Sequence, residues 1–95
     1  MIIGACELEL YLPEAGSLKG KRSVIKSLLA RVRNVFNVSA AEVGHQDLWQ
    51  SATLGIVTVT NSSVHADQTL THVIHWIEDQ YPQVMIVNQS LEIIT

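Results

Sequence analysis

Ile2-Ile3-Gly4-Ala5-Cys6-Glu7-Leu8-Glu9-Leu10-Tyr11-Leu12 is the stretch that decides the fold. After an apolar opening it alternates, with Cys6, Leu8, Leu10 and Leu12 on one side and Glu7, Glu9 and Tyr11 on the other. Successive side chains of a strand point to opposite faces, so this strand has one buried and one wet face. Pro13-Glu14-Ala15-Gly16 stops it.

Working outward, Ser17 reads as a helix N-cap, and apolar residues then recur at Leu18, Ile25, Leu28, Leu29, Val32 and Phe36. That spacing gives a helix with a single buried stripe, which Asn37 can end. Residues 38–43 are short and small, as an edge strand would be, and 44–50 form a polar connection carrying Leu48 and Trp49. Residues 51–60 are rich in Thr, Val and Ile and read as a further strand. Both of its alternations contain apolar residues, so its inward face stays open. Asn61-Ser62-Ser63 starts a second helix with Leu70, Val73, Ile74, Ile77 and Tyr81 as its stripe, and Pro82 terminates it. Residues 84–94 close the chain as a strand, with Val87, Leu91 and Ile93 expected on one face. The order β-α-β-β-α-β predicts an α+β, ferredoxin-like sandwich: one domain, a four-stranded antiparallel sheet and both helices on one face.

Composition fits one small ordered domain. The 95 residues are 47% hydrophobic and 16% charged, enough for a single core. No apolar run approaches the ~20 residues of a membrane-spanning helix. The N-terminus shows no secretion-signal pattern, and the lone Cys6 excludes an internal disulfide, so a cytoplasmic protein is expected. Cys6 itself reads as a small buried apolar group.

Charge is where the sequence speaks about function. All six basic residues fall between positions 19 and 33, and all nine acids lie outside that segment, so the net −3 is +6 set against −9. At 100° per residue Lys19, Arg22, Lys26 and Arg33 lie within an arc of about 60°, beside the apolar stripe. Exposed helix faces usually mix signs and gain from Glu–Lys pairs four apart, and this one has none. Lys19, Lys21 and Arg22 also sit at the positive end of the helix dipole, an unfavourable place unless an anion joins them. Phosphates of RNA suit an extended ridge of this kind. The expected anion site is therefore Lys19, Lys21 and Arg22 at the helix start, with Lys26 and Arg33 extending contact along the backbone. A solvated face is the alternative.

Ser17-Leu18-Lys19-Gly20-Lys21-Arg22-Ser23, Phe36-Asn37-Val38-Ser39-Ala40-Ala41-Glu42, Asp47-Leu48-Trp49-Gln50 and Ala52-Thr53-Leu54-Gly55 resemble, in that order, signatures of the bacterial YlxP-like proteins. Gly20 departs from the charged residue expected there. The family is one of unknown function. The resemblance implies a ferredoxin-like fold and a gene setting shared with transcription and translation factors, including ribosome-binding factor A. It thus favours RNA or the ribosome as partner.

Other constellations carry less. Residues 16–22 imitate a nucleotide loop, but the glycines are one residue too close and Arg22 stands where a magnesium-binding Ser or Thr belongs. An RNA-recognition motif stacks bases on aromatics of its two central strands, and here the first strand offers only Tyr11, beside Glu7 and Glu9, and the third none. Glu7, Glu9 and Glu92 should share the open sheet face, as a wet surface or a docking site for a basic partner or second copy. His72, His75 and Asp79 share one helix face at a spacing too weak to call for a metal. Acylphosphatases have this size and topology, but their glycine-rich arginine loop is missing. Trp49 either closes the core edge, the favoured reading, or anchors a partner, while Trp76 should be partly buried. No catalytic residue, metal or cofactor is expected. The leading expectation is a non-catalytic RNA- or ribosome-binding protein. The alternative is a homodimeric interaction or regulatory module using the acidic sheet or the edge strand.

Overall fold

The computed structural model describes residues 1–95, in the order β1 (Ile2–Tyr11), α1 (Leu18–Val35), β2 (Ser39–Gly44), β3 (Ser51–Thr60), α2 (Ser63–Gln80) and β4 (Met85–Ile94). The strands form one antiparallel sheet ordered β2-β3-β1-β4, and the architecture is the ferredoxin-like sandwich expected from the sequence. β1 lies at the centre, and its alternation divides the faces as expected. Cys6, Leu8 and Leu10 are buried beneath the helices and Glu7, Glu9 and Tyr11 are exposed. The core joins these to Leu54 and Ile56 of β3, to Ile25, Leu28 and Val32 of α1, and to Leu70, Val73 and Ile77 of α2.

β3, whose inward face the sequence leaves open, turns Ala52, Leu54, Ile56 and Thr58 to the core and exposes Val57 and Val59. Thr58 belongs inside because its hydroxyl donates to the Asn37 carbonyl at 3.2 Å, which removes the penalty of a buried polar group. β4 departs from expectation. A register shift opposite Glu9 and Leu10 leaves Val87 without a partner and 57% exposed, and Ile86 takes the inward place on the Leu91 and Ile93 side. A bulge adds one residue and so reverses the side-chain alternation beyond it.

Both helices start on serine caps. The Ser17 hydroxyl accepts from Gly20 N–H at 3.0 Å, and the Ser62 hydroxyl from His65 N–H at 3.2 Å. Gly20 occupies the third helical position, and a Cβ added there would meet only the Ser17 Oγ, at 3.3 Å. That contact is tight, and a side chain fits if the Ser17 hydroxyl gives by a few tenths of an ångström while keeping its cap bond. Gly20→Ala should raise stability by roughly 0.5–1 kcal/mol by removing backbone freedom from the unfolded chain. Thermal melting checks this, and a lower Tm would mean that the methyl displaces the cap.

Candidate nucleic-acid interface

The six cations of α1 separate into three groups by what they already touch. Lys21, expected to hold phosphate, is fully buried. Its ammonium donates to Glu42 Oε2 at 2.9 Å, to the His45 carbonyl at 2.8 Å and to the Ser51 carbonyl at 3.1 Å, with a longer contact to the Gln46 carbonyl at 3.3 Å. An ammonium has three N–H donors, and these acceptors use them all. Lys21 therefore leaves the candidate anion site. It fastens the β2–β3 connection to the first turn of α1.

Arg31 and Arg33 are partly committed. Arg31 donates to Gln80 Oε1 at 2.9 Å, and its guanidinium lies 5.0 Å from the Trp76 ring centre and 5.3 Å from that of Tyr81. It clamps α1 to α2 through a cation over two aromatic faces. Trp76 is half-buried, as expected. Arg33 donates from Nε and Nη2 to the Ala40 carbonyl of edge strand β2, leaving other N–H groups free.

Lys19, Arg22 and Lys26 are exposed, and none of them meets a carboxylate, because Lys21–Glu42 is the single ion pair of the chain. Arg22, Lys26 and Arg33 line a groove of about 360 Å³ between α1 and β2, floored by Ile25 and Leu29 and bounded by Glu42. The Glu42 charge on that wall is already met by Lys21. The structure thus brings Arg22, Lys26 and Arg33 together, places Lys19 one turn before them and removes Lys21.

The opposite face of the sheet is acidic at its centre. Glu7 and Glu9 are exposed on β1, and Glu92 pairs across from Ala5, so the three share that face. Around them Val43, Val57, Val59 and Ile94 are exposed. His72 and His75 are exposed on α2, and no three His, Cys, Asp or Glu side chains come together to hold a metal.

Cys6 is buried, and its thiol is pushed from an ordinary 9.0 up to about 11, first by burial and then by the Glu7 charge. It stays protonated at neutral pH, so alkylation at pH 8 should be far slower in the native than in the unfolded protein. Because the folded value is the higher one, its contribution to stability is full below pH 9 and is lost as pH rises toward 11. Equal alkylation rates in the two states would contradict this.

Sequence reasoning missed two features of this region. Trp49 and Leu48 are 47% and 49% exposed, so Trp49 does not close the core edge. Lys21, expected in the anion site at the helix start, has a position that marks it otherwise: it stands four residues before Ile25 and seven before Leu28, inside the buried stripe.

A family model described as "Protein of unknown function (DUF503)" matches residues 3–90. The chain belongs to this family. It is also 45% identical over 83 residues to the "Uncharacterized protein YlxP" of Bacillus subtilis (strain 168), covering 87% of this chain and 89% of that protein. The DUF503 assignment agrees with the motifs read along the sequence, and neither description names an activity. Within the family's matched span lie the whole of α1 and the Lys21–Glu42 pair. No helix of this DUF503 chain is long and apolar enough to cross a membrane.

Proposed function

We propose that the chain is a non-catalytic protein of the cytoplasm that binds RNA, free or within the ribosome, through Lys19, Arg22 and Lys26, with Arg33 at the far end. The observation that carries this reading is the set of three exposed cations on one helix face, none with a carboxylate partner, beside a groove. Cations needed only for structure are engaged, as Lys21 and Arg31 are. The ridge is not. Its few base-reading groups favour recognition by backbone and shape. Co-sedimentation with ribosomal subunits and binding to structured RNA at low salt test the proposal. Binding should be displaced by a polyanion such as heparin, and no binding to either at 50 mM salt, a concentration at which phosphate contacts remain strong, would overturn it.

The exposed Val43, Val57, Val59 and Ile94 on the open sheet favour a second reading, a homodimer that covers this face. Light scattering over a range of concentrations decides it, and a strict monomer at high concentration removes the dimer.

A further inference from the structure

Residues 45–50 join β2 to β3 and carry Leu48 and Trp49 side by side, both about half exposed. Large apolar side chains on a loose connection would fold back on the protein or move freely. This connection is instead fixed from two sides. Lys21 binds the carbonyls of His45, Gln46 and Ser51. The Leu12 N–H donates to the Gln50 carbonyl at 2.9 Å, and Gln50 Nε2 donates to the Pro13 carbonyl at 3.2 Å. His45 takes a left-handed φ of 60°, and its carbonyl accepts from both Lys21 and the Leu48 N–H, which closes the turn ahead of Trp49. The anchor residue is the neighbour of Arg22 and lies two positions after Lys19. A half-exposed indole on a fastened backbone therefore lies at the same end of the molecule as two cations without counter-ions.

Resting on the RNA reading above, we infer that Trp49 is a base-stacking platform and that the RNA held by the ridge is single-stranded where it leaves the start of α1. Every base presents a π face, and an exposed aromatic ring beside a basic track is the arrangement that grips unpaired nucleotides. The phosphates follow Lys26, Arg22 and Lys19, and the next base lies on the indole. Asp47, exposed in the same connection, repels a phosphate there and so fits a base over the connection rather than backbone. The open sheet, with its carboxylates, takes no part.

The test compares a short unstructured RNA with a duplex of equal length, by fluorescence anisotropy, for the wild type, Trp49→Ala and Trp49→Phe. Loss of one stacked base weakens binding by about tenfold or more. Trp49→Ala should show that loss on the single strand, with little change on the duplex and an unchanged salt slope, and Trp49→Phe should recover most of the affinity. Matching thermal melts establish that the variants are folded. A Trp49→Ala protein that binds the single strand as tightly as the wild type overturns the inference, leaves the ridge reading standing and points to a protein partner for the indole. Equal losses on both RNAs also overturn stacking. A wild type that binds neither RNA removes the ridge reading and this inference together.

Discussion

Lys21→Met should lower stability by about 3–5 kcal/mol. The thioether fills much of the volume, so a cavity is not the cause. The cause is that one ammonium serves four acceptors in a site where its side chain is fully buried and that of Glu42 is 16% exposed. Removing it leaves the Glu42 carboxylate and the Gln46 and Ser51 carbonyls without this donor and the His45 carbonyl with the Leu48 N–H alone, and acceptors left unmet at a part-buried site cost more than the net gain of making each bond. For a domain of this size the Tm should fall by at least about 12 °C. Adding Glu42→Gln to Lys21→Met should recover little, because the His45, Gln46 and Ser51 carbonyls still lack their partner. Chemical denaturation of the two variants checks both statements. A Lys21→Met protein as stable as the wild type would show that water or a local rearrangement replaces the ammonium without penalty.

The second large effect is the opposite in kind. Arg22→Glu together with Lys26→Glu should abolish RNA binding and leave the fold intact. Both side chains are exposed and lie outside the core, so no buried contact is lost. A glutamate near the start of α1 also suits the helix dipole, and Tm should hold or rise slightly. At the groove the change removes two attractions for phosphate and adds two repulsions. By contrast, His72→Ala with His75→Ala on α2 should alter neither stability nor binding. Reversal that unfolds the protein would make these cations structural, and reversal that leaves RNA association untouched would sink the ridge.

These two experiments separate residues that look alike in the sequence. The fold was legible because β1 alternates cleanly, because serine caps and Pro82 punctuate both helices, and because the apolar stripes have helical spacing. Its one slip, the face of Val87, came from a bulge in β4, which leaves no mark in the alternation of apolar residues. At the candidate site the ridge of Lys19, Arg22, Lys26 and Arg33 was legible from angular position alone. The burial of Lys21 was not, because its charge masks its place in the buried stripe. Glu42 gave the matching signal, an acid two residues from the buried Ala40 and so on the same inward face of an edge strand. Neither residue alone reveals the pair, since buried charges are recognisable only when the partner's position is known. Trp49, expected to close the core edge, is exposed for a related reason: its position depends on a connection whose shape is set by Lys21, twenty-eight residues earlier.

The most direct test of the central claim is the salt dependence of RNA affinity for the wild type and for Lys19→Gln, Arg22→Gln and Lys26→Gln. Each phosphate contact on a single strand contributes about −0.7 to the slope of log K against log salt, so three or four contacts give about −2 to −3. The account predicts that slope for the wild type and a loss of about 0.7 for each neutralised cation. A slope near zero, or one that none of the three substitutions changes, would contradict it.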